Sequence, residues 1–216
     1  MDSPTAEEYL EIIYKLRQAE RPVKQSQVAN ALKLHPTTVG EMIRRLSKKG
    51  LVKRGARGID LTKAGERVAI ELIRRHRLSE RFLVDVLGLP WEKAHDEACK
   101  LEHALSEDVT DSLEKFLESP ASCPHGHPIP DRSGRISAER VRELSALSTG
   151  DRGTIVRVNE DDGEILAYLA SLGLLPKVEV AVEEVAPFGG PLLVRVGRAK
   201  YALGREVASK IMVSEG

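Results

Sequence analysis

Apolar residues recur three and four apart through the first half of the chain and alternate in short runs through the last third, the periods of helix and strand. Tyr9, Leu10, Ile12, Ile13 and Leu16 form a first helical stripe. Ser3 can cap it with Pro4 in the first turn; the alternative cap is Thr5, which has Glu8 three residues on as in a capping box. Val28, Ala29 and Leu32 predict a short helix from Gln25 to Leu32. Pro36 opens another, with Val39, Met42, Ile43 and Leu46 on one face and Gly50 as its stop. Two short helices joined by Lys33-Leu34-His35 have the helix-turn-helix layout, in which the start of the second helix faces base edges in the major groove. Leu51-Val52-Lys53-Arg54 and Ile59-Asp60-Leu61-Thr62 flank Gly55-Ala56-Arg57-Gly58, which predicts a hairpin, or wing.

Thr62 then caps a long helix from Lys63 to about Leu87. A further helix is expected from Trp91 to Leu105 and another from Glu107 to Leu117. These three carry more apolar surface than they can bury among themselves, which predicts a homodimer. The stretch from Ser119 to Pro130 is a Pro/Gly-rich linker holding Cys123 and His125, and Ala138 to Leu144 has a polar, helix-like pattern. After about Leu147 the pattern changes. Short strands at Thr154–Val158, Val178–Val182, Leu192–Val196, Lys200–Leu203 and Ile211–Val213, with one helix at Glu164–Leu172, predict a small barrel.

Aromatic residues are only 4% of the chain, so its cores must be aliphatic. No apolar run approaches the roughly 20 residues of a membrane span, and the N-terminus shows no signal peptide. Two cysteines make no disulfide framework, so a cytoplasmic protein with reduced thiols is expected. The net charge of +0 conceals an asymmetry. Arg21 to Arg57 holds ten Lys/Arg against one acid, Glu41, whereas His76 to Glu143 holds nine basic against fourteen acidic residues. The basic block coincides with the helix-turn-helix and wing, which together point to DNA.

The acidic block contains His95-Asp96-Glu97-Ala98-Cys99-Lys100-Leu101-Glu102-His103. On a helix Cys99, Glu102 and His103 stand at i, i+3 and i+4, with His95 one turn earlier. Thiol, carboxylate and imidazole together are donors for divalent transition metals. His76 and Glu80 stand at i, i+4 on the preceding helix. A zinc-type hydrolase is the alternative from another class, but no HExxH or nucleophile motif is present and a basic winged helix has no place in it. A metal-independent regulator with a structural metal site is the third reading.

The whole pattern resembles the diphtheria-toxin-repressor family of metal-dependent regulators, including its manganese-transport-regulator branch. His76-Arg77-Leu78-Ser79-Glu80-Arg81 and the stretch from His95 to His103 carry the likeness most specifically, with Leu172-Gly173-Leu174, Gly189-Gly190-Pro191 and Leu203-Gly204 for the last domain. The resemblance implies a mainly α fold with a small β domain. It divides into a winged helix-turn-helix (1–72), a helical metal-binding and dimerisation domain (73–122), a linker (123–144) and an SH3-like barrel of the type found in ferrous-iron-transport accessory proteins (145–216). It implies a primary metal site of Cys99, Glu102 and His103 with Glu8 from the first helix, and Glu11 as a second acid there. A second site has two versions. One is His76, Glu80 and His95; the other is Glu80, Cys123 and His125 with a barrel carboxylate from Glu160, Asp161 or Asp162. For DNA, His35, Pro36, Thr37 and Thr38 match the start of the recognition helix, and Arg44, Arg45, Lys48, Lys53, Arg54 and Arg57 are expected on phosphates. The implied function is a dimeric repressor of metal-uptake genes on a palindromic operator. The acids Glu8 and Glu11 and the Cys123/His125 pair favour Mn(II), and the Cys99 thiol favours Fe(II) or another softer ion.

Overall fold

A computed structural model describes residues 5–18, 21–137, 140–159 and 162–214. The chain divides into two compact units, Met1–Arg75 with Pro130–Arg135, and His76–Ile129 with Ile136–Gly216.

In the first unit, helix α1 (Ala6–Leu16) starts at a capping box: the Thr5 hydroxyl accepts from Glu8 N at 3.3 Å and the Glu8 carboxylate accepts from Thr5 N. The alternative cap is therefore the one used, and Ser3 and Pro4 lie outside the described residues. α1 buries Tyr9, Leu10 and Ile13 against Val28 and Ala29 of α2 (Gln25–Leu32) and Val39, Ile43 and Leu46 of α3 (Pro36–Lys48). The turn between α2 and α3 is made by Lys33 at φ 53°, and Gln25 Nε2 donates to Pro36 O at 2.9 Å, tying the two helix starts together. Strands β1 (Val52–Gly55) and β2 (Gly58–Leu61) form the antiparallel hairpin with Val52 opposite Leu61 and Gly55 opposite Gly58. Val52, Ile59 and Leu61 close the core, while Lys53, Arg54 and Arg57 face water.

Helix α4 (Lys63–Arg81) begins with the Thr62 hydroxyl accepting from Gly65 N at 3.1 Å. Gly65 is pressed onto the preceding chain: a Cβ there would lie 2.1 Å from Leu51 O. Replacing an exposed helical glycine by alanine usually stabilises by about 1 kcal/mol. Here the sign should reverse. Gly65→Ala is expected to lower unfolding stability by about 2 kcal/mol, the cost of forcing a methyl into packed backbone; an unchanged or raised urea midpoint would refute this.

In the second unit the end of α4 runs into a π-helical turn, Phe82–Val86. A 3-10 turn at Trp91–Lys93 leads into α5 (Ala94–Leu101), and Ser106 caps α6 (Glu107–Phe116). The single helix expected from Trp91 to Leu105 is thus divided, and its regular part ends before Glu102. Leu87, Val109 and Phe116 are exposed. The β domain is one antiparallel sheet in the order β3-β8-β4-β5-β6-β7. Its strands are β3 (Val141–Glu143), β4 (Arg152–Val158), β5 (Glu179–Val185), β6 (Leu192–Val196), β7 (Ala199–Leu203) and β8 (Ile211–Ser214). Helices α7 (Gly163–Ser171) and α8 (Arg205–Ser209) complete an aliphatic core that includes Leu144, Ile155, Leu166, Val194 and Ile211. Val141–Glu143 is a strand, not the end of a polar helix: it pairs with β8, Val141 opposite Ser214, and cross-strand bonding overrides the local pattern. No helix among the described residues is long and apolar enough to cross a membrane.

Candidate metal centre

The second unit gathers donors from three segments. α4 is amphipathic enough to place His76 and Glu80 on its buried face, and Glu80 is only 3% exposed. α5 contributes His95 and Cys99, and the turn after it Glu102 and His103. The third segment is the Pro-rich stretch, which is no loose linker. Arg81 Nε donates to Ser122 O at 2.8 Å and Arg77 donates to Pro128 O, so α4 grips both ends of the loop. Within it Cys123 N donates to His127 O and Gly126 N to Cys123 O, each at 2.9 Å. This winding drives Cys123 and His125 inward to 1% and 3% exposure.

Two groups of potential ligand atoms result, each with its atoms within 4.8 Å of one another: His76, His95 and Cys99, and Glu80, Cys123 and His125. A chain of contacts joins them. His76 Nδ1 lies 2.6 Å from Glu102 Oε2, and His76 Nε2 3.2 Å from Glu80 Oε1. The same Glu80 oxygen is 3.0 Å from His125 Nδ1 and 3.8 Å from His95 Nδ1. Cys99 Sγ is 3.6 Å from His95 Nε2, and Glu102 Oε1 is 3.4 Å from His103 Nε2.

Burial opposes charge on His76, yet its bonds to Cys99, Glu102 and Glu80 outweigh burial and hold its pKa well above the usual imidazole value. Burial likewise opposes the Glu80 carboxylate, but His125, His76 and His95 hold it well below the carboxylate range. The thiols diverge. His76 and His95 more than offset the burial of Cys99 and lower its pKa, whereas burial, reinforced by the Glu80 charge, pushes Cys123 well above a normal thiol. The chemistry of the donors suits a divalent transition ion: buried thiol, imidazole and carboxylate converge where an ion would replace protons as the counter-charge.

The Glu80 shift has a consequence for stability. A depressed folded pKa adds stability above the unfolded value of 4.5, lost as pH falls through the folded value. In chelator, the stability difference between the protein and Glu80→Gln should be widest above about pH 5 and close on acidification. Urea unfolding along a pH series reads this, and a difference that is constant with pH would contradict it. His76, raised, has the opposite sign: its contribution is complete below the unfolded value of 6.5 and lost as pH rises through the folded one.

The remaining expected ligands stand elsewhere. Glu8 and Glu11 lie on α1 of the first unit, Glu8 in the capping box and Glu11 3.1 Å from Lys15 Nζ. Asp161 and Glu160 lie outside the described residues, and Asp162 caps α7 by accepting from Glu164 N at 2.8 Å. On the DNA side His35 caps α3, with Pro36 at the first turn. His35, Pro36, Thr37, Thr38, Arg44, Arg45 and Lys48 are exposed along it, as are Lys53, Arg54 and Arg57 on the hairpin. Three participants were missed from the sequence. Trp91 stacks on His125 with ring centroids 5.1 Å apart and offers its carbonyl to His125 Nε2 at 2.9 Å. Arg77 and Arg81 hold the loop; their only sequence signal is the i, i+4 spacing beside His76 and Glu80.

Comparison with known proteins adds three matched domains. The N-terminal DNA-binding domain of iron-dependent repressors matches residues 1–58, their metal-binding and dimerisation domain residues 62–131, and the FeoA domain residues 142–215. The chain is 35% identical to the iron-dependent repressor IdeR of Mycobacterium leprae, over 98% of this chain and 97% of that one. It is 33% identical to the diphtheria toxin repressor of Corynebacterium diphtheriae, over 72% and 73%. Among solved structures, a manganese-dependent transcriptional repressor in complex with manganese superposes with a TM-score of 0.91 at 34% identity, covering 98% of this chain and 100% of that one. The manganese regulator SloR gives 0.80 at 31%, with each chain covered in full (100%).

Proposed function

This chain belongs to the family of iron-dependent repressors, and from that premise we propose that it is a cytoplasmic, homodimeric, metal-activated repressor of metal-uptake genes on a palindromic operator. One observation carries the reading: a single chain has an exposed basic winged helix in one unit and a buried cluster of thiol, imidazole and carboxylate donors in the other. The apolar side chains of Leu87, Val109 and Phe116, exposed in one copy, support a second copy as the cover.

Glu8 with Cys99, Glu102 and His103 would hold the activating ion, which would supply a bond between the DNA-binding and dimerisation parts. The protein's own residues set the response. His76 orients Glu102 through its Nδ1 bond. The difference in the ion's affinity between the arrangement in which Glu8 is a ligand and the one in which it is not would fix how far the equilibrium moves. In a dimer, two copies of α3 would then sit about 34 Å apart, matching successive major grooves. Arg44, Arg45, Lys48, Lys53, Arg54 and Arg57 would neutralise phosphates, while Thr37 and Thr38 approach base edges. Mn(II) is favoured over Fe(II), because Glu8 and Glu11 offer hard oxygen donors and the Cys123/His125 pair is present. The test is operator affinity measured anaerobically against Mn(II), Fe(II), Co(II) and Zn(II). Affinity should rise with metal, most with Mn(II); operator binding equally tight in chelator would refute the reading.

A further inference from the structure

Glu41 is the one acid among the ten Lys/Arg from Arg21 to Arg57, and the phosphate and base contacts described so far give it no part. We propose that Glu41 reads a cytosine in each operator half-site, its carboxylate accepting from the cytosine N4 amino group in the major groove. This rests on the function proposed above and adds to it the base that α3 selects.

The placement of Glu41 supports it. Val39, Ile43 and Leu46 turn one side of α3 into the core. Thr37 and Thr38 stand four and three residues before Glu41, and Arg44, Arg45 and Lys48 three, four and seven after it. At the helical period these six residues span about 120° of the opposite side, with Glu41 at its middle. All six are exposed. The start of α3 is also held from behind. Gln25 Nε2 donates to Pro36 O at 2.9 Å, and the same atom would lie 2.9 Å from a Cβ on Gly40. The direction in which Glu41 projects is therefore set before DNA arrives, so little ordering remains to be done on binding.

The ordinary uses of a helical acid do not account for this one. Glu41 is not in the first turn, where it would meet the positive end of the helix dipole. Arg45 stands at i+4, the order that favours an ion pair, yet among the described residues the Glu41 carboxylate bonds to neither Arg44 nor Arg45. On a side that meets phosphates an unpaired carboxylate opposes binding. A base edge that offers only a donor offsets this. In the major groove guanine presents the acceptors N7 and O6, thymine the acceptor O4, and adenine an N7 acceptor beside its amino group. Cytosine alone presents a donor with no acceptor next to it. A carboxylate, which can only accept, matches that edge and is repelled by guanine and thymine.

The experiment selects binders from a random-sequence duplex library with the full-length protein, loaded with Mn(II) or, anaerobically, with Fe(II). The unmodified protein should enrich a consensus with cytosine at one position of each half-site. Glu41→Gln should exchange that cytosine for adenine, because an amide pairs with adenine N6 and N7, and Glu41→Ala should leave the position without preference. Inverting that C·G pair should weaken the unmodified protein about tenfold, the usual scale of one mismatched pair, and Glu41→Ala less than twofold. Both variants should bind non-operator DNA more tightly, since a negative charge has left the phosphate-facing side. Metal affinity and urea midpoint should stay as they were, because the side chain is exposed. One consensus shared by all three proteins would overturn the assignment, and so would a preference altered at every position, the result of a displaced helix. Enrichment of no sequence by the unmodified protein would instead overturn the proposed function, and this assignment with it.

Discussion

Glu102→Ala should reduce operator affinity in saturating Mn(II) to the value found in chelator, a loss of about a hundredfold for a coupling within the usual allosteric range. Glu102 is 2% exposed and touches both His76 Nδ1 at 2.6 Å and His103 Nε2 at 3.4 Å. Its removal would delete a ligand and release the two imidazoles it orients. The alanine variant also loses a buried charge-assisted bond, which costs metal-free stability by about 1–3 kcal/mol. Glu102→Gln separates the two effects, because it keeps the volume and an acceptor while losing the charge. It should fold with a near-normal urea midpoint and still show no metal response. A metal-dependent gel shift retained by both variants would remove Glu102 from the activating set.

Gly126→Ala should be the most damaging substitution in the loop that carries Cys123 and His125. Gly126 has φ +88°, and a Cβ would sit 2.0 Å from Val156 O and 2.7 Å from Arg157 Cα. Both obstacles are backbone of β4, so neither can swing aside as a side chain could. Two bonds beside this contact, Val158 N to His125 O at 2.9 Å and His127 Nε2 to Val158 O at 3.1 Å, depend on it. The left-handed backbone adds about 1–3 kcal/mol for a non-glycine residue, and the overlap adds to that, so a total of about 3 kcal/mol or more is expected. Because the loop also presents Cys123 and His125 to Glu80, metal bound by that trio should be lost together with the docking of the loop on β4. Equilibrium dialysis and thermal unfolding read the two effects. A stable variant with full metal stoichiometry would show that the loop can leave β4 without consequence.

Much of the fold was legible because local signals and burial agree. The capping box of Thr5 and Glu8, Pro36 at the start of α3 and Gly50 at its end mark the same elements in sequence and structure. The apolar spacing of Val39, Ile43 and Leu46 is the buried face of α3, and its complement of exposed basic residues is the DNA-facing surface. Failures came where long-range contacts decide. Val141–Glu143 looks helical until β8 lies beside it, and the stretch after Pro120 looks like a linker until Arg77 and Arg81 grip it.

The sequence by itself determined the inventory: which residues can ligate a metal, which can meet phosphate, and on which helices they stand. That follows from side-chain chemistry and helical period, both of which are local. Only the tertiary structure decided the partnerships. Cys99 stands at i, i+3 and i+4 with Glu102 and His103 and one turn after His95 in sequence, but only packing brings His76 of α4 to its thiol. Glu80 becomes the hub of three imidazoles only because α4, α5 and the Cys123–His127 loop converge on it. No local period can encode that, because the distances are set by how separate segments pack and not by their spacing along the chain.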